Sequence, residues 1–154
     1  MRVLFVCLGN ICRSPTAEGV LRHKLCEAGL EGRVEVDSAG TGDWHVGKPA
    51  DIRTRQAAQQ RGYDLSALRG RPVKTADFHD FDLVLAMDHS NLSDLQKLRP
   101  SHAAAELDLF LRRYQLELNE VPDPYYGGEA GFSQVLDLIE LACDGLVLEL
   151  KGRL

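Results

Sequence analysis

Cys7 opens, and Arg13 closes, a run that reads Cys-Leu-Gly-Asn-Ile-Cys-Arg-Ser over residues 7–14. A thiol and a guanidinium enclosing five residues suit attack on a small tetrahedral anion. Successive backbone N–H groups of such a loop point inward and form a nest for phosphate oxygens. Arg13 offers a planar fork that holds two of those oxygens at once. A thiol in this positive field is expected to have a lowered pKa and to sit as thiolate, the form that attacks. Gly9 permits close backbone approach, and Asn10 tolerates a left-handed conformation. Leu8, Ile11, Cys12 and Ser14 complete the candidate phosphate-binding loop. Taken alone, Cys7 would more often be a small buried hydrophobe at the end of a strand. The full Cys-x5-Arg-Ser set, after an apolar run and before Pro-Thr-Ala-Glu, is what makes it a candidate nucleophile.

Cleavage of a phosphate ester also needs a proton for the departing oxygen, which a cysteine nucleophile cannot supply. Asp123 is the best candidate. Pro122 and Pro124 bracket it, stiffening its loop and biasing it towards extended backbone. An acid must be held within hydrogen-bond reach of the leaving oxygen. Pro-Asp-Pro alone reads as a turn with a solvated carboxylate; beside an anion loop and next to Tyr125 and Tyr126 it reads as chemistry. Those two tyrosines, with Trp44 opposite and His45 beside it, are expected to wall a cleft for an aromatic ring.

These residues must be positioned by something. Apolar runs alternate with helical patterns, the signature of a parallel α/β sheet. Strands are expected at Val3–Cys7, Val34–Ser38, Leu83–Met87 and Leu107–Phe110, the first and third apolar enough to be covered on both faces. Helices are expected at about Ser14–Ala28, Asp51–Arg61, His89–Leu98 and Glu129–Lys151. In the last helix, Phe132, Val135, Leu136, Ile139, Ala142, Cys143, Leu146 and Leu150 recur at helical spacing, so Cys143 is core and inert. Cys26, late in the first helix, is expected to be structural too. Pro15 suits the first turn of that helix, whose free N–H groups and dipole add to the anion site. Two long loops, 39–50 and 117–128, are the kind that carry function in compact domains. The expected architecture is an open four-stranded parallel sheet with helices on both faces. Ligands of such sheets bind beyond the carboxyl ends of the strands, where Cys7 sits.

The chain has 154 residues and a formal charge of −5, with four cysteines, one tryptophan and five histidines. That length suits one domain spanning 1–154. The acidic balance and lack of a basic run argue against nucleic acid as partner. The cysteines lack metal-site spacing, so a reduced, cytoplasmic protein without metal or cofactor is expected. The N-terminal apolar run is too short for a signal region, and no segment reaches membrane length. His23, His79, His89 and His102 read as surface residues.

These motifs resemble the low-molecular-weight protein tyrosine phosphatases over nearly the whole chain. The resemblance runs through residues 7–18, Asp-Ser-Ala-Gly-Thr at 37–41, Asp-Trp-His-Val-Gly at 43–47, Met-Asp-His-Ser-Asn-Leu at 87–92 and Pro-Asp-Pro-Tyr-Tyr-Gly-Gly at 122–128. It implies a flavodoxin-like α/β sheet of strand order 2-1-3-4 and a phosphotyrosine phosphatase working through a cysteinyl-phosphate, with Cys7 as nucleophile, Arg13 binding phosphate and Asp123 as general acid and then base. It implies a hydrogen bond from Ser14 to the Cys7 sulfur, a loop-fixing network of Asn10 and Ser38, and a protective Cys7–Cys12 disulfide under peroxide. The implied partners are tyrosine-phosphorylated proteins and a tyrosine kinase, the protein being a monomer or weak dimer. One position departs from the pattern: Leu68 stands where many relatives carry a histidine that holds the loop Asn, with Arg69 or a water as the expected substitute. Two other enzymes share this fold and anion loop. A thiol-coupled arsenate reductase needs relay cysteines near residues 80–90, and this chain has none there. An arginine phosphatase tends to have Thr where Ile11 stands. The third class is a non-catalytic phosphate-binding protein, which the intact Cys7, Arg13 and Asp123 disfavour.

Overall fold

A computed structural model describes residues 1–125 and 127–154. Four strands, β1 (Arg2–Cys7), β2 (Glu35–Gly40), β3 (Leu83–Ala86) and β4 (Glu106–Leu109), form one parallel sheet in the order β2-β1-β3-β4. The helices are α1 (Arg13–Glu27), α2 (Ile52–Gln60), α3 (Asp77–Asp80), α4 (His89–Leu98), α5 (Phe110–Arg113) and α6 (Glu129–Arg153). The expected architecture and strand order hold.

Alternation along β1 divides the interior in two. Val3, Phe5 and Cys7 face a core shared with Leu21 of α1, Ala58 of α2 and Ile139 of α6. Leu4 and Val6 face a second core with Phe78 of α3 and Leu92 and Leu95 of α4. Both faces of the sheet are therefore covered, and β1 and β3 are almost wholly buried. Phe5 meets Phe110 edge-on with ring centroids 5.1 Å apart.

The boundaries differ in instructive ways. β2 starts one residue later than expected and runs on to Gly40, because Cys7 pairs with Gly40 in the parallel register. β4 ends at Leu109, and Phe110 opens the short α5. α3 and α5, each four residues long, are too short to show a helical repeat. Cys143 is fully buried, as expected, whereas Cys26 proves exposed on α1. His23, His79, His89 and His102 lie at the surface. Among the described residues, no helix is long and apolar enough to cross a membrane.

Candidate active site

The loop between β1 and α1 lies at the carboxyl edge of the sheet. Asn10 adopts φ 55°, the left-handed turn that brings the chain round into the helix. Cys12 occupies the N-cap position of α1, and its side chain does not cap the helix. The first N–H groups of α1 thus have no capping side chain set against them, as an anion site at a helix N-terminus requires. Cys7 is buried at the base of this loop. Its Sγ lies 3.0 Å from Ser14 Oγ and accepts the Asn10 N–H at 3.3 Å.

A directed chain of hydrogen bonds fixes that geometry. The Asn10 amide oxygen accepts the backbone N–H of Arg71 at 3.0 Å, which turns its NH2 group towards the loop. That NH2 donates to Ser14 Oγ at 2.8 Å and to Ser38 Oγ at 3.0 Å. Ser14 Oγ already accepts from Asn10, so its own hydrogen is available to the Cys7 sulfur. Ser38 in turn donates to Glu18 Oε1 at 2.7 Å. Glu18 is 3% exposed and ion-pairs with Arg22 at 2.6 Å. Burial raises its pKa, against the opposing pull of Ser38 and Arg22.

The expected substitute at Leu68 is corrected here. Arg69 donates to the carbonyls of Ser66 and Leu68, away from Asn10. The backbone of Arg71 holds Asn10 instead, and Leu68 packs on the main core. The Arg71 side chain is itself clamped by Asp37 and Asp77.

Arg13 is only 3% exposed. Its Nη1 donates to Asp88 Oδ2 at 2.6 Å and to the Val121 carbonyl at 3.0 Å, while Nη2 stands 3.6 Å from Asp123 Oδ2. Burial opposes its charge, but Cys7, Asp88 and Asp123 outweigh that cost and hold its pKa above the ordinary value. Asp88 also caps α4 by accepting the Asn91 N–H at 2.7 Å. Asp123 Oδ1 accepts the Tyr125 N–H at 3.0 Å, a local turn that leaves Oδ2 facing Arg13. Burial pushes the Cys12 thiol up to about 12.

The 41–50 loop, although long, is pinned. Thr41 and Gly42 N–H groups donate to the carbonyls of Cys7 and Leu8, the Gly47 N–H donates to the Gly70 carbonyl, and the Gly70 N–H donates to the Lys48 carbonyl. A side chain at Gly70 would place its Cβ 2.4 Å from the His45 carbonyl oxygen, so the segments meet this closely only through glycine. Pinned in this way, Trp44 and His45 line a cleft of about 390 Å³ with Cys7, Leu8, Gly9, Ile11, Cys12, Arg13, Asp123 and Tyr125. Trp44 is 64% exposed at the lip, and the His45 and Tyr125 rings approach to 6.4 Å. Tyr126 lies outside the described residues. The side chains of Asn10, Ser14 and Ser38 bond to one another rather than lining the cleft. A larger cavity, about 450 Å³, opens at the opposite edge of the sheet. Its arginines pair with Glu35 and Glu18, and among the described residues no cysteine lines it.

Sequence reasoning missed Glu18, Asp51, Arg53, Arg71 and Asp88. Two left a signal: Asp51 and Asp88 each stand directly before a helix and cap it. Glu18 lies four residues after Ser14, on the same face of α1.

The sequence model of the family described as low molecular weight phosphotyrosine protein phosphatase matches residues 2–153. A low molecular weight protein-tyrosine-phosphatase of Streptomyces coelicolor is 44% identical over 154 residues, spanning 97% of this chain and 93% of that protein. The crystal structure of a protein tyrosine phosphatase from Entamoeba histolytica superposes with a TM-score of 0.93 at 41% identity, covering 100% of this chain and 99% of that one. A Drosophila arginine phosphatase superposes with a TM-score of 0.90 at 36% identity, covering 98% of each chain.

Proposed function

The chain belongs to the low molecular weight phosphotyrosine protein phosphatase family and is a protein-tyrosine phosphatase; on that premise we propose that it hydrolyses phosphotyrosine in two displacements at Cys7. The observation that carries this reading is the Cys7 sulfur at the base of an anion loop, with Ser14 and Asn10 donors on it and Arg13 and Asp123 in the same cleft. The Cys7 thiolate attacks phosphorus as the P–O bond breaks, and Asp123 gives its proton to the departing phenolic oxygen. Arg13, steadied on Asp88, and the loop amides take the charge of the equatorial oxygens. Asp123, now a carboxylate, removes a proton from water. The water oxygen attacks phosphorus, the P–S bond breaks, and the thiolate leaves under the Ser14 hydroxyl. Trp44, His45 and Tyr125 form the aromatic walls, and the depth they create favours a phosphoaryl group over phosphoserine.

The same reading treats residues 1–154 as one domain acting in the cytoplasm on tyrosine-phosphorylated proteins, opposite a tyrosine kinase. Its four free cysteines support that compartment. When peroxide oxidises Cys7 to the sulfenic acid, Cys12 closes a disulfide with it and water leaves, protecting Cys7 from further oxidation. A thiol pushed up to about 12 is mostly protonated at neutral pH, so this closure accelerates as pH rises. Recovery after dithiothreitol is expected to be lower for Cys12→Ser than for wild type; equal recovery removes the role.

The second reading is phosphoarginine, favoured by the Drosophila neighbour and disfavoured by Ile11, whose apolar side chain lines the cleft. Matched peptides carrying phosphotyrosine, phosphoserine or phosphoarginine decide between them. Phosphotyrosine is expected to turn over fastest, with Cys7→Ser inactive on all three yet still binding inorganic phosphate. Faster phosphoarginine turnover would reverse the assignment.

A further inference from the structure

Asp123 sits on a loop whose two ends are fastened separately. On the near side, the Val121 N–H donates to the Met87 carbonyl at 2.8 Å, and its carbonyl accepts from Arg13. Glu120 accepts the His89 N–H at 2.8 Å at the start of α4. On the far side Arg53 of α2 reaches across to the loop. Its Nη2 donates to the Tyr125 carbonyl at 2.8 Å, and Nη1 reaches towards the Gly127 carbonyl at 3.5 Å. The guanidinium also lies 4.9 Å from the Phe132 ring centroid and 5.5 Å from that of Tyr125.

The other edge of the Arg53 fork is taken by Asp51, whose carboxylate accepts from Nε and Nη2 at 3.1 Å. Asp51 is tied to the phosphate loop: its N–H donates to the Ile11 carbonyl at 2.9 Å. A continuous path therefore runs from Ile11 in the anion loop, through Asp51 and Arg53, to Tyr125, whose N–H holds the Asp123 carboxylate. From these contacts we infer that Arg53 is a positioning residue for the general acid. It sets the distance between the loop that holds phosphate and the loop that delivers the proton, and it touches neither substrate nor reacting atoms. This role rests on the assignment of Asp123 as the acid.

A planar fork suits the task because it binds a carboxylate on one edge and carbonyls on another without changing shape, which the single ammonium of lysine cannot do. Misplacing a catalytic group by about 1 Å costs on the order of 10²-fold in rate. The loss should appear only where protonation of the leaving group limits the reaction.

The test is kcat across aryl phosphates of graded leaving-group pKa for wild type, Arg53→Met, Arg53→Lys, Asp123→Asn and the Arg53→Met/Asp123→Asn pair. Inhibition by inorganic phosphate and Tm are measured alongside. Arg53→Met, which keeps an apolar stem over Phe132, is expected to lose about 10- to 100-fold with poor leaving groups. It should lose little with electron-poor ones and leave inhibition by phosphate unchanged. Arg53→Lys should share the defect with Tm intact. In the Asp123→Asn background, Arg53→Met should add almost nothing, because the two act as one unit. A loss uniform across leaving groups, a parallel weakening of phosphate inhibition, full activity in Arg53→Lys, or simple additivity in the pair would each overturn the inference. A steepened leaving-group dependence in Asp123→Asn without one in Arg53→Met would overturn the Arg53 role alone. No steepening in Asp123→Asn would overturn the acid assignment and this role with it.

Discussion

Glu18 illustrates how single residues divide into those readable from their neighbours and those that are not. Cys7, Asn10, Arg13 and Ser14 were legible because the loop is local: eight consecutive residues contain both the donors and the turn. Asp123 was legible because two prolines mark it. Glu18 reads as an ordinary first-helix glutamate; its role exists only once β2 brings Ser38 within 2.7 Å of it. Its buried carboxyl also has a consequence for stability. Its native pKa is raised above the ordinary 4.5, chiefly by burial. Between those two values the unfolded chain has released the proton that the native chain keeps, so stability falls as pH rises through that window and stays reduced above it. Glu18→Gln keeps an acceptor for Ser38 and cannot titrate. The Tm difference, variant minus wild type, is expected to increase across that window in melts from roughly pH 4 to 8. A difference that is flat or falls with pH would show that Glu18 carries no raised native pKa.

At the scale of elements, α4 matters more than its length suggests. Its N-cap, Asp88, serves the helix with Oδ1 and Arg13 with Oδ2. These duties separate by substitution. Asp88→Asn retains a good cap and loses stability only through Arg13; Asp88→Ala should cost about 1 kcal/mol more. Both lose the charged partner of Arg13, a bond worth roughly 1.5–3 kcal/mol, so kcat/KM should fall by about 10-fold or more in each. Unchanged kcat/KM in Asp88→Asn would show that Arg13 is held by the Val121 carbonyl alone. The long elements were legible from hydrophobic period, and α6 from a stripe repeated over many turns. α3 and α5 were not, since one helical turn has no period to detect. The end of β2 was missed because Ala39 and Gly40 carry no strand preference; their pairing is set by partners, Gly40 N–H on the Arg71 carbonyl and Val73 N–H on the Gly40 carbonyl.

At the scale of the molecule, the alternation of strand and helix was sufficient to read the sheet, because a parallel sheet needs crossovers and covered faces. What sequence could not show is how the 41–50 and 117–128 loops close over one edge, since glycine contacts and an arginine from α2 make that closure. One product of that closure is an optical property. The chain's sole indole, Trp44, stands at the lip of the cleft rather than in either core, already 64% in water. Its emission is therefore a report on occupancy and a poor report on folding. Denaturant should move the emission maximum little while circular dichroism records the loss of helix. An aryl phosphonate, whose ring covers the indole, should shift it to shorter wavelength at constant secondary structure. A large red shift on unfolding would mean that the indole lies buried in solution and the lip is closed.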